Sequence, residues 1–194
     1  MHGIEAGPKY GQACDFVADP SDIQEKGAST IPTPAYSEAR FARFYEETYA
    51  SIWRLARRVC GDEEDAADVC QQAYLAVYGY WSRGRLREEP RHLLYRVAKL
   101  RAIDSFRASR RRTRLLGILP TRPSVDPAAV NTVELALAEL PRKDASLLLL
   151  QAVTGLSYEE LAQVEQQTVP AVKSRLYRIR RELARRHRAL NEQL

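Results

Sequence analysis

The sequence has little of what metal and nucleophile chemistry needs. Its three cysteines (Cys14, Cys60, Cys70) and three histidines (His2, His92, His187) stand apart from one another, at no metal-ligand spacing. Their odd number gives the cysteines no disulfide framework. Cys60 and Cys70 fall on apolar helix faces, so buried free thiols are expected there. No glycine-rich phosphate loop and no nucleophile constellation is found, so an enzyme has no support. No catalytic residue, metal or cofactor is expected. No apolar run reaches the length of a membrane span, and no signal-peptide core follows Met1. Membrane insertion is therefore not expected, and a cytoplasmic location is. Strand-like alternation and tandem repeats are also missing.

What is present is helix periodicity and segregated charge. With 194 residues and 45% apolar content, the chain suffices for one domain or two small helical ones. The formal net charge of +5 hides its layout. Acid is concentrated in Asp62, Glu63, Glu64, Asp65 and Asp68. Base is concentrated between Arg107 and Arg114 and in the last helix. Such segregation points to separate surfaces for separate partners.

Residues 1–36 are rich in glycine and proline without periodicity, and are read as a disordered tail. A first helix is predicted over 37–60, with Phe41, Phe44, Tyr45, Thr48, Ile52, Leu55 and Val59 on one face. Gly61 suits a left-handed helix end, and Asp62 caps a second helix. That helix buries Ala66, Val69, Cys70, Ala73, Val77 and Trp81 and stops at Gly84. A polar loop, 82–91, leads to a third helix over 90–112, with Leu93, Leu94, Val97, Ala98, Leu100 and Ile103 as its apolar contacts. It ends in Arg107, Arg110, Arg111, Arg112 and Arg114, more cations than a helix C-terminus requires. A proline-bearing stretch, 115–132, reads as a flexible linker, and a second domain as 133–194. The fold class expected is all-α: two small helical domains joined by a flexible linker.

The stretch 156–190 carries the sharpest pattern. Ser157 and Glu160 have capping-box spacing, and Thr168 is a second N-cap with Pro170 in the first turn behind it. Val172, Leu176, Ile179 and Leu183 face inward at helical spacing. The remaining faces carry Lys173, Arg175, Arg178, Arg180, Arg181, Arg185, Arg186 and Arg188. A short helix, a turn and a basic helix make a helix-turn-helix whose second helix suits the DNA major groove. A merely solvated basic face is the bland alternative. Cations that neutralise phosphates release counterions, which accounts for the excess of arginine.

Three stretches together resemble the extracytoplasmic-function sigma factors, the minimal two-domain bacterial sigma factors. They are GDEEDAADVCQQAYLAVY (61–78), HLLYRVAKLRAIDSFRASRRR (92–112), and ALAELPRKDASLLLLQAVTGLSYEELAQ followed by VKSRLYRIRREL. The resemblance covers about residues 37–190, so that 37–114 would be a region 2-like domain and 133–194 a region 4-like one. It implies core RNA polymerase (β′ and β subunits), promoter DNA and an anti-sigma factor as partners. Asp65, Asp68, Gln71 and Gln72 would lie on the polymerase side. Arg96, Lys99, Asp104, Arg107, Arg110 and Arg111 would face the −10 element, and the 82–91 loop a flipped base. Thr168, Lys173, Ser174, Arg175, Tyr177, Arg178 and Arg181 would serve the −35 element, with Arg175 and Arg181 on phosphates.

The chain departs from the family at several places. Gln72 stands where an acid is common, Leu93 where Trp is, and Leu100 where Asn is. The loop reads GRLREEP rather than aromatic-rich, and Gln166 and Gln167 replace a usual Gly and an apolar residue. Two alternatives stand beside the sigma-factor reading. One is a free-standing helix-turn-helix regulator; the other is a degenerate sigma-like protein that binds a partner without initiating transcription.

Overall fold

Seven helices follow one another without an intervening strand among the described residues: α1 (Glu38–Cys60), α2 (Glu63–Ser82), α3 (Pro90–Leu115), α4 (Thr132–Glu139), α5 (Arg142–Thr154), α6 (Tyr158–Glu165) and α7 (Val169–Asn191). They are drawn from a computed structural model that describes residues 36–115 and 132–192. The expected tail, Tyr36 apart, and nearly all of the expected linker lie outside the described residues, as do Cys14 and His2.

Local chemistry sets the helix ends. The Ser37 hydroxyl accepts from the Arg40 N–H at the start of α1, and Gly61 closes that helix at φ 83°, a left-handed conformation that glycine adopts without steric cost. The Asp62 carboxylate accepts from the Asp65 N–H to open α2. At the start of α6 both halves of the capping box form: Glu160 N–H donates to Ser157 Oγ at 3.1 Å, and Ser157 N–H donates to the Glu160 carboxylate at 2.8 Å. Thr168 caps α7, with Pro170 in its first turn.

Helices α1, α2 and α3 pack on one another around Ile52, Leu55, Val59, Ala73, Val77, Leu94 and Ala98, all essentially inaccessible to water. Thr48, on the same buried face, shares a 2.8 Å hydrogen bond with the Tyr74 hydroxyl, so both polar groups are satisfied inside the core. The second group, α4 to α7, closes over Leu147, Leu150, Leu161, Val164, Val172 and Leu176. The two groups also touch: α5 lies against α1 and α3, and α6 against α3. Their buried side chains form one continuous cluster. All seven helices belong to a single compact unit, Pro32–Leu194.

Three sequence expectations change. Helix α3 runs three residues further than expected, to Leu115. Leu100, expected inward, is 46% exposed, because Ala98, Ala102 and Ile103 take the buried face of α3. Tyr45, expected on the buried face of α1, is 40% exposed and packs its ring on Tyr49 and Tyr74.

Candidate functional site

The helix-turn-helix presents its second helix as a groove-reading element does. Val172, Leu176 and Ile179 anchor α7 to the core, which turns Lys173, Ser174, Tyr177, Arg178 and Arg181 outward. Residues 173, 177 and 181 follow at i, i+4 and i+8, so they make one stripe along the helix, with 174 and 178 beside it. Thr168 is exposed at the positive end of α7. The Lys173 ammonium lies 5.2 Å from the centre of the Tyr158 ring, and the Arg181 guanidinium 5.8 Å from that of Tyr177. Among the described residues, no carboxylate comes within ion-pair distance of Lys173, Arg178 or Arg181.

Other cations of α7 are engaged within the chain. Arg175 Nη2 meets Asp144 at 2.9 Å, and its Nη1 meets Glu165 at 3.3 Å. Arg180 donates to Gln151 and to the Tyr158 hydroxyl, which pulls that phenol below its ordinary range. Arg185 and Arg186 flank Glu182. Their hydrogen bonds hold its carboxyl down at about 2. Arg175, expected on a phosphate, is therefore committed to two acids in this arrangement.

The turn before α7 holds despite its unusual residues. Gln166 takes the left-handed conformation, φ 53° and ψ 42°, that a glycine would favour there. Gln167 N–H donates to the Ala162 carbonyl at 3.0 Å, closing the end of α6.

On α3 the expected residues split into two sets. Asp104, Arg107, Arg110 and Arg111 are exposed near its C-terminal end, with Arg107 paired to Asp104 at 3.4 Å. Arg96 is paired with Glu88 of the preceding loop. Lys99 is only 7% exposed, and its ammonium is bound to Glu165 of α6. Burial pulls that ammonium below the ordinary lysine range, against the opposing pull of Glu165. Lys99 is thus placed at the seam between α3 and α6 rather than on an open surface.

The structure adds a residue that sequence reasoning missed. Arg142, at the start of α5, stacks 3.7 Å from the centre of the Phe106 ring. Arg110 lies over the same ring at 5.6 Å. With Arg107, Arg111 and Arg114 they line a cationic recess of ≈ 240 Å³. Burial, and then the charge of Arg110, pull Arg142 below the usual arginine range. No sequence signal links Arg142 to Phe106, since they lie on different helices far apart in the chain.

On α2, Asp68, Gln71 and Gln72 are exposed, whereas Asp65 is partly covered with Arg112 3.7 Å away. Beside this polar edge runs an apolar groove of ≈ 420 Å³, lined by Phe41, Tyr45, Tyr49, Tyr74, Leu75 and Tyr78 among others. Leu75, 60% exposed, and Tyr78, 45% exposed, were hidden from sequence reading because they fall off the buried stripe of α2. Among the described residues no group of His, Cys, Asp or Glu is arranged to hold a metal ion, and no helix is long and apolar enough to cross a membrane.

Comparison with known proteins adds two family matches in chain order. Sigma-70 region 2 matches residues 44–112, spanning most of α1 to α3, and Sigma-70, region 4 matches residues 131–183, from α4 into α7. The ECF RNA polymerase sigma factor SigW of Bacillus subtilis (strain 168) is 25% identical over 157 residues, 72% of this chain and 84% of its own. Among solved structures, CnrH in complex with the cytosolic domain of CnrY superposes with a TM-score of 0.56 at 22% identity, covering 76% of this chain and 87% of that one. The sigma factor RpoE of Bartonella quintana, in complex with the anti-sigma factor NepR, gives a TM-score of 0.55 at 16% identity over 76% of this chain and 96% of that one. At these identities the solved structures speak to the fold.

Proposed function

The chain belongs to the sigma-70 family as a sigma factor of the extracytoplasmic-function type, and we propose that its helices divide promoter recognition between two groups of residues. It binds core RNA polymerase and directs it to promoters for transcription initiation. The observation that carries the division is the outward stripe of α7, whose cations have no acid partner among the described residues. Lys173, Ser174, Tyr177 and Arg178 would reach base edges of the −35 element, and Arg181 a phosphate. The exposed N-terminus of α7, capped by Thr168, suits a second phosphate.

The −10 side falls to α3, where Arg107, Arg110 and Arg111 offer exposed charge. Core polymerase falls to the exposed edge of α2, where Asp68, Gln71 and Gln72 adjoin the aromatic groove. Acid beside an apolar groove suits a basic amphipathic partner helix. The protein works as a dissociable binding subunit rather than an enzyme, and we place it in the cytoplasm, where polymerase and DNA are. An anti-sigma factor is a further partner, as both solved relatives are seen in complexes of that kind or with a cytosolic partner domain.

The test is run-off transcription with purified core polymerase on a genomic fragment library. Transcripts that appear only with this chain are expected, and their start sites will display both promoter elements. Binding to DNA without any engagement of core would overturn the reading.

A further inference from the structure

Glu165 closes α6 with its side chain 5% exposed, yet it is surrounded by positive charge. One oxygen accepts from the Lys99 ammonium of α3, and the other from Arg175 Nη1 of α7 at 3.3 Å. Arg175 in turn donates to Asp144 of α5 from Nε and Nη2, and to the Lys143 carbonyl at 3.1 Å. Beyond burial, Arg175 and then Arg96 lie close enough to Lys99 to disfavour its charged form. A single carboxylate thus ties together cations from two helices that are far apart in sequence. Two oxygens, each taking a charged donor, are what a DNA phosphate would also present.

Resting on the sigma-factor reading above, we propose that Glu165 is a latch: it stands in for promoter phosphate on Lys99, and so holds α3 closed against the helix-turn-helix until DNA displaces it. A well-packed apolar pair would serve a permanent seam at least as well. A buried ion pair suits a seam that must part, because each charge regains water or a phosphate on opening. Opening leaves the α7 stripe untouched, since Lys173, Ser174, Tyr177 and Arg178 are exposed already. The latch therefore acts on the −10 side and spares the −35 side.

The full-length chain is compared with Glu165→Gln, which keeps the side chain's size and removes its charge. Lysine acylation followed by mass spectrometry reads Lys99 directly against the exposed Lys143 and Lys173. In the parent chain Lys99 should label far more slowly than those two, and in the variant it should approach their rate. Binding is then measured to a −35 duplex and to a −10 single strand cut from a promoter recovered by run-off transcription. Affinity of the variant for the −10 strand should rise about fivefold or more, as the closed fraction no longer discounts it. Affinity for the −35 duplex should not change. Equal Lys99 labelling in both chains, or a −10 affinity that does not rise, overturns the latch. Absence of core-dependent transcripts from the parent chain overturns the sigma reading instead, and the labelling still judges the closed seam. Should Glu165→Gln fail to fold by circular dichroism, Glu165→Asp keeps the charge but shortens the reach. Lys99 labelling should then rise above the parent's, and an unchanged rate overturns the proposal.

Discussion

Replacing Gln166 with glycine should stabilise the fold, although Gln166 sits in the turn of the DNA-reading motif. Among the described residues it is the one non-glycine with a positive φ, at 53°. In that conformation a Cβ crowds the following carbonyl, which costs roughly 1–2 kcal/mol. Glycine removes the clash but loses more backbone freedom on folding, which gives back roughly 0.5–1 kcal/mol. The net gain is about 0.8 kcal/mol at mid-range and about 1.5 at most, and in a chain of this size each kcal/mol moves the melting temperature by about 2–4 °C. A rise of about 2–3 °C, and at most about 6 °C, in a calorimetric melt is therefore expected. The Gln166 side chain is exposed, so little packing is lost with it. Gln167→Gly is the control: it carries no positive φ, so it gains nothing and pays the glycine entropy. A melting temperature that falls in Gln166→Gly, or that rises equally in both variants, would refute the backbone argument.

Arg178→Ala should weaken −35 duplex binding at least several-fold, as one good base contact supplies about 1–3 kcal/mol; fluorescence anisotropy at fixed salt reads this, and unchanged affinity removes Arg178 from the reading set. Cys60 and Cys70 are buried, and burial pushes their thiols up to about 12 and about 11. At pH 8 the Cys60 thiolate fraction is then about one part in ten thousand. Alkylation of either thiol should wait for denaturant, and prompt labelling of Cys60 or Cys70 in buffer, located by peptide mass spectrometry, would contradict their placement. The Glu160 carboxyl is held below its ordinary range, chiefly by the Ser157 backbone N–H. A depressed folded value means that its stabilisation is fully present above the unfolded pKa of about 4.3 and is lost as pH falls through the folded one. Urea unfolding across that window should show a smaller loss for Glu160→Gln than for the parent, and parallel curves would count against the capping box.

The fold was legible where local chemistry decides it. Asp62, Ser157 and Thr168 each cap the helix that their side chains announce, because N-cap hydrogen bonding depends on three or four neighbouring residues only. Helix α5 starts after Pro141 and ends at Gly155, which takes the left-handed conformation at φ 66°. Leu100 and Tyr45 were misread because a 3.6-residue period names a face but not its width. Which flank of α3 is buried depends on α5 and α6, which arrive from elsewhere in the chain. Gln166 shows the reverse case: a residue with no turn propensity adopts the left-handed conformation because Leu161, Val164 and Val172 fix both helices around it.

The candidate site was harder to read because charge is visible in sequence and its partners are not. The basic run of α7 looked uniform, yet the fold sorts it. Arg175 goes to Asp144 and Glu165, Arg186 to Glu139 and Glu182, and Arg180 to Gln151. Those acids lie up to 47 residues away in the chain, so no window along the sequence reveals the pairing. What survives the sorting is the stripe through Lys173, Tyr177 and Arg181 with Arg178 beside it. An arginine already sharing a carboxylate must first give up that charged partner to take a phosphate. Cations without an acid partner give up only water and a counterion. The distribution of internal ion pairs thus narrows the proposed DNA-contacting set more sharply than the count of basic residues does. Lys99, paired with Glu165 at the seam between α3 and α6, would join the promoter-binding set only on the latch proposed above.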